Sequence, residues 1–116
     1  MAVFGVPAAT RAAMVWSRAQ DNQNVLRWTQ KDLATGVEMP VDLSGYTITV
    51  TLMSPHGDVW LAYPAAKDLG GFLHVGPSRA QLAGVEWGGR ALGRYTVVAI
   101  KNGLATCLAD DDFRII

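Results

Sequence analysis

The chain has 116 residues, half of them hydrophobic, and its ten basic residues balance its ten acidic ones. This length and apolar content predict one domain with a buried core, and the zero net charge excludes a long-range field that would concentrate nucleic acid or anionic lipid. The one cysteine excludes an intramolecular disulfide and fits a reducing cytosol, and no apolar run reaches the roughly 20 residues that span a bilayer.

Residues 1–11 are predicted to form an N-terminal arm ahead of a single domain over residues 12–116. Gly5 and Pro7 break any regular element in the arm. Such an arm is either loose or ordered against a neighbouring subunit. In the second case its apolar side chains are candidate interface residues, namely Val3, Phe4 and Val6.

Short segments of alternating polarity, separated by turn residues, follow the arm in chain order. One turn of helix is predicted at 78–85, with Ser78 as its N-cap, and a glycine-rich loop at 86–93. Strands are predicted at 13–19, 25–31, 46–53, 58–63, 72–75, 93–100, 104–109 and 113–116.

Two of these segments indicate the fold most clearly. In 46–53 every second residue is apolar and three of the alternate residues are threonine, the pattern of a half-buried strand. Asn102-Gly103 is the preferred pair for a tight turn between two strands. Strands at about 8–12-residue intervals are typical of sandwiches. We therefore predict an all-β fold, an antiparallel β-sandwich of about seven or eight short strands.

The sequence lacks the motifs of nucleophilic catalysis and phosphate binding. His56 and His74 do not have the spacing of a metal site. The acidic run 110–112 could offer oxygen ligands to Ca²⁺, but side chains alternate along an extended chain, so a solvated bulge that interrupts the strands is expected. Cys107 is expected to be a small buried hydrophobe. We predict no enzyme, no cofactor and no metal.

The four tryptophans can serve either the core or an interface. Trp16 and Trp28 share a face with apolar neighbours and are predicted to lie in the core. Trp60 points away from the apolar residues of its strand, and Trp87 lies in a glycine-rich loop, so both are predicted to be exposed. With Tyr63 they are candidate interface residues, although packing in the core or at its rim is an alternative for each.

Three short motifs occur in a recognisable order between residues 25 and 116. They are the turn Asp42-Leu43-Ser44-Gly45 before an alternating strand, Gly93-Arg94-Tyr95 in a late strand, and Phe113-Arg114-Ile115 in the closing strand. This order resembles the small β-sandwich modules at the N-terminus of bacteriophage baseplate upper proteins and in related tail and fibre components. Asp112 stands where that pattern has glycine. The motifs are fold determinants in the family, so no catalytic residue is implied.

The resemblance implies a bacteriophage virion structural protein, a tail, baseplate or fibre module assembled in the host cytoplasm. Its expected partners are other virion subunits, including copies of itself in a ring or trimer, with no nucleic acid and no membrane. Such an oligomer would cover the arm and the sheet edges. The alternatives are a carbohydrate- or receptor-binding module that uses the exposed aromatic residues, a capsid decoration protein, and, least favoured, a small enzyme.

Overall fold

The computed structural model describes residues 11–116. Within them lie ten strands and one 3₁₀ helix, which spans Val85–Gly89. The strands are β1 (Met14–Trp16), β2 (Val25–Arg27), β3 (Thr29–Lys31), β4 (Glu38–Pro40), β5 (Thr47–Met53), β6 (Val59–Pro64), β7 (Ala66–Asp68), β8 (Phe72–His74), β9 (Leu92–Lys101) and β10 (Leu104–Ile115). The prediction of an all-β, sandwich-like fold is confirmed.

A five-stranded sheet, with the order β1-β10-β9-β5-β6, is the main sheet of the structure. Smaller sheets have the orders β2-β8-β7 and β3-β4. All strand pairs are antiparallel except β1 and β10, which run parallel with Met14 beside Phe113. The long hairpin β9–β10 turns at Asn102 and Gly103, which both have positive φ angles of 52° and 76°, as the sequence predicted for a turn of this kind.

The two faces of the main sheet differ because alternate residues of each strand point to opposite sides. One face, which we call the inner face, packs against the smaller sheets and their loops in a single core. Its central side chains are at most 2 % exposed: Ile48, Val50 and Leu52 of β5, and Tyr95, Val97 and Ala99 of β9. The alternation predicted for 46–53 and 93–100 is confirmed by these positions.

Two β-bulges interrupt that alternation in the main sheet. In β6 the partners are Leu52 with Leu61 and Met53 with Val59, so Trp60 is an extra residue between them. In β10 the pairing shifts between Cys107 and Ala109, so Leu108 is extra. A bulge re-aims the extra side chain, and both Leu108 and Ala109 are buried.

Several element bounds differ from the sequence-based prediction. The strand predicted at 25–31 breaks at Trp28, whose backbone N–H donates to the oxygen of Gly71, so β2 and β3 join different sheets. The three-residue strands β4 and β7 were not predicted, which raises the strand number to ten. Ser78 does accept a bond from the backbone N–H of Gln81, but a turn follows there and the helix lies at 85–89, where a loop was predicted.

Candidate interaction surface

The outer face of the main sheet is built from small and β-branched side chains. Cross-strand rows define it, for example Thr49 beside Val98 and Val98 beside Cys107. No second layer covers this face within residues 11–116, and its side chains are half-buried or exposed. Its central members carry no charge: Thr47, Thr49 and Thr51 of β5, Ala62 of β6, Thr96, Val98 and Ile100 of β9, and Ala105 and Cys107 of β10.

Charged groups are confined to one end of the outer face. There the guanidinium of Arg94 donates to the carboxylate of Asp110 at 2.8 Å, and both side chains are partly exposed. Arg11 donates to the backbone oxygen of Asp110 at 3.4 Å. Exposed pairs of this kind stabilise a fold by at most about 1 kcal/mol. The centre of the outer face therefore carries no charged group.

The acidic run 110–112 lies inside β10 and does not interrupt it. Asp110, Asp111 and Asp112 pair with Thr96, Tyr95 and Arg94 of β9, so the prediction of a bulge at the aspartates is wrong. The bulge lies at Leu108 instead. Successive aspartates point to opposite faces of the strand, which keeps the three carboxylates from converging on one cation.

One side of β10 is largely unpaired in the part of the chain that the structure describes. β9 pairs with one side of β10 from Leu104 to Arg114, whereas β1 covers the other side only from Phe113 to Ile115. Because Arg11 also contacts the backbone oxygen of Asp110, we call residues 104–109 the open edge. The signal for it in the sequence is the uncharged run that follows the Asn-Gly turn.

Cys107 lies on the outer face beside the open edge and is exposed. The prediction that this thiol is buried is wrong. The side chain of Cys107 lies on the same face as that of Ala105, which no other element of residues 11–116 covers.

The aromatic side chains that were candidate interface residues face the core instead. Trp87 is only 2 % exposed, so its predicted exposure is wrong. Tyr63 is also buried, at 9 % exposed. Trp60 is half-buried, because the bulge in β6 turns it toward the inner face. Its ring packs edge-on to Trp87, with 6.0 Å between centroids, and against Phe113 at 6.2 Å.

Two arginines hold this aromatic cluster in place. The Arg90 guanidinium lies over both indoles, 5.2 Å from the centroid of Trp60 and 5.0 Å from that of Trp87. Arg18 donates to the backbone oxygens of Trp87 at 2.8 Å and of Arg90 at 3.2 Å. A sugar-stacking platform needs exposed ring faces, and Trp87 and Tyr63 have none, so the cluster serves packing.

The tyrosine hydroxyls of the inner face are hydrogen-bonded to the backbone. Tyr63 donates to the oxygen of Val75 at 2.6 Å, and Tyr95 donates to the oxygen of Ala12. Burial raises the pKa of Tyr63 well above its usual value. Burial, and then the negative charges of Asp111 and Asp110, raise the pKa of Tyr95 to about 12. Both hydroxyls are therefore neutral at physiological pH and act as donors.

The remaining titratable side chains of residues 11–116 make separate, local contacts. His74 contacts Asp68 across two short strands, and both side chains are exposed. Within residues 11–116 no three His, Cys, Asp or Glu side chains come together where a metal ion could bind. A shallow groove of about 600 Å³ is lined in part by Lys67. The ammonium group of Lys67 donates hydrogen bonds to the backbone oxygens of Leu43 and Tyr46.

The sequence matches no known protein-family model and no curated protein. No helix in residues 11–116 combines the length and the apolarity that a membrane crossing requires. The predicted interface residues of the arm, Val3, Phe4 and Val6, lie outside the described residues.

Proposed function

We propose that this chain is a bacteriophage virion structural protein that acts as a tail, baseplate or fibre module through protein–protein contacts. The observation that supports a docking role best is the uncharged outer face of the main sheet together with the open edge beside it. The phage context rests on the sequence motifs that resemble baseplate modules, which fall on the turn before β5, on β9 and on the end of β10.

The composition of the outer face suits contact with another protein. Threonine, valine and alanine side chains give a flat surface without long flexible groups, so docking immobilises few rotamers. A surface without charge at its centre also loses less hydration free energy on burial than a charged surface does. The partners expected here are other virion subunits and further copies of this chain, in a ring or a trimer, formed in the host cytoplasm.

Particle composition tests this proposal. Virions of the phage or prophage that encodes the chain are purified on a density gradient and analysed by quantitative mass spectrometry. We expect the chain in the particle at a copy number like that of other tail proteins. Separation of tails from heads then distinguishes a tail module from a capsid decoration protein. Particles that lack the chain, from cells that produce it, would overturn the proposal.

A pair of matched variants connects incorporation to the outer face. Thr49→Asp places a charge at the centre of that face, whereas Leu69→Asp places one on a loop residue that is 97 % exposed. We expect Thr49→Asp to reduce incorporation strongly and Leu69→Asp to leave it unchanged, with β-type circular dichroism spectra for both proteins. Equal incorporation of the two variants would exclude the outer face as the docking surface.

A further inference from the structure

We propose that the open edge of β10 pairs antiparallel with the open edge of a second copy, so that the main sheets of two chains join across a two-fold axis. This inference rests on the proposed assembly function and deepens it, because it names the contact between copies. An assembly held by this contact contains an even number of chains, which excludes a trimer held by it.

Apart from the bulge at Leu108, the open edge lacks the devices that keep other sheet edges from pairing. Proteins protect such edges with charged side chains, proline or a covering element. The stretch Leu104–Ala109 contains no charged residue and no proline, and Leu104 is 75 % exposed. The three-residue strand β1 already pairs with the end of this edge at Phe113–Ile115, so the geometry of the edge is one that accepts a strand.

Charge selects the direction of pairing. In a parallel arrangement the acidic runs 110–112 of the two copies would lie side by side and repel. In the antiparallel arrangement the two acidic runs lie at opposite ends of the contact, each near the uncharged hairpin turn Asn102-Gly103 of the other copy. Asp111 and Asp112 make no ion pair within residues 11–116, so nothing there would offset the repulsion of the parallel arrangement.

The faces of the sheet restrict the register. A two-fold axis perpendicular to the joined sheet puts side chains of the same face opposite each other. The bulge at Leu108 limits regular pairing to Leu104–Cys107. Ala105 and Cys107 both belong to the outer face. In each permitted register, residue 105 or 107 of one copy therefore lies opposite residue 105 or 107 of the other copy.

Cysteine cross-linking tests the contact at these positions. Ala105→Cys adds a thiol beside native Cys107, and opposite residues of paired strands have Cα separations that a disulfide can bridge. Under mild oxidation at high protein concentration we expect most of the Ala105→Cys protein to form a disulfide-linked dimer. Peptide mapping of the bond, as 105–105, 105–107 or 107–107, then gives the register.

Ala62→Cys is the matched control, because Ala62 is also an exposed outer-face alanine but lies on β6 at the opposite edge of the sheet. We expect no more cross-linking from it than from the native protein. Equal cross-linking of the two variants would indicate random collision and overturn the proposal, and cross-linking of Ala62→Cys alone would transfer the contact to β6.

Light scattering gives a second measurement that requires no oxidation. We expect the native chain to have twice the mass of the 12.5 kDa monomer, and Ala105→Lys to raise the dimer dissociation constant by about tenfold or more, because like charges face each other across the axis. Ala62→Lys should leave the constant unchanged. A monomeric native chain, or a dimer that Ala105→Lys does not weaken, would overturn the inference.

Removal of residues 1–10 separates this contact from one made by the arm. We expect the truncated chain to dimerise as the native chain does. A dimer that is lost on truncation, or that forms only after it, would show that the arm makes the contact or covers the edge and would refute edge-to-edge pairing. The proposed function fails by a different result, a chain that is absent from virions whatever its own mass.

Discussion

The two faces of the main sheet come from alternate residues of the same strands, yet they use different chemistry. The inner face holds the large side chains, and three of its aromatic rings pack in a row. Trp16 stacks on Phe113 with 4.8 Å between centroids, and Tyr95 packs beside Trp16 at 6.0 Å. The outer face holds threonine, valine and alanine. The buried contacts that stabilise the fold are therefore concentrated on one side of each strand.

The largest expected effect comes from removing a ring of the inner face. Trp16 is 1 % exposed, so Trp16→Ala loses buried area and leaves a cavity that the rigid sheet cannot close. We expect a loss of about 3–5 kcal/mol in the free energy of unfolding, measured by urea denaturation. Thr49→Ala on the outer face should change it by less than about 0.5 kcal/mol. Similar losses for the two variants would contradict the division between the faces.

A smaller effect is expected from adding a methyl group at Gly93, where the inner face is tightly packed. Gly93 lies opposite Phe113, and a Cβ at this position would meet the Phe113 ring at 2.6 Å and crowd the backbone oxygen of Met53. Gly93→Ala should cost about 1–3 kcal/mol through overpacking. Gly88→Ala is the control, because a Cβ there meets nothing within 4 Å. A neutral Gly93→Ala would show that the sheet can shift at this position.

The smallest effect concerns the polar groups of the inner face. Tyr63→Phe removes the hydrogen bond to the backbone oxygen of Val75 and should cost about 1 kcal/mol at neutral pH.

The pKa values of Tyr63 and Tyr95 are higher in the folded chain than the ordinary tyrosine value of 10.0. The folded state therefore holds protons that the unfolded state releases, and its stability falls as the pH rises from about 10 toward 12.

Urea denaturation at a series of alkaline pH values checks this pH dependence. The slope of stability against pH should be shallower in Tyr63→Phe than in the native chain, because one of the two protonated hydroxyls is gone. Thr49→Ala should keep the native slope, because it lies on the outer face and leaves both tyrosine hydroxyls in place. An unchanged slope in Tyr63→Phe would mean that its hydroxyl ionises equally in both states.

The sequence predicted the fold wherever simple alternation holds and failed where a single extra residue shifts it. Strands β5 and β9 follow a period of two, so their inner and outer residues were assigned correctly. In β6 and β10 a bulge adds one residue, and Trp60 and Leu108 turn toward the core. A bulge depends on the pairing with the neighbouring strand, which composition and periodicity do not encode.

Burial of the aromatic candidates could not be predicted from the sequence, because it also depends on contacts between distant parts of the chain. Trp87 lies among glycines, a context typical of an exposed loop, but the bonds from Arg18 to its backbone and the stacking of Arg90 fix it against the core. The bonds from Arg18 join residues that are about 70 positions apart in the chain. The outer face, in contrast, was visible in the threonines of 46–53.

The parallel ladder between β1 and β10 also determines how the domain would respond to tension. A pull on Met14 toward the start of the chain and on Ile115 toward its end acts along the two strands in opposite directions. Their hydrogen bonds are then loaded together in shear and do not open one by one. A module placed between two anchored parts of a particle would transmit force through this short clamp before its core is exposed.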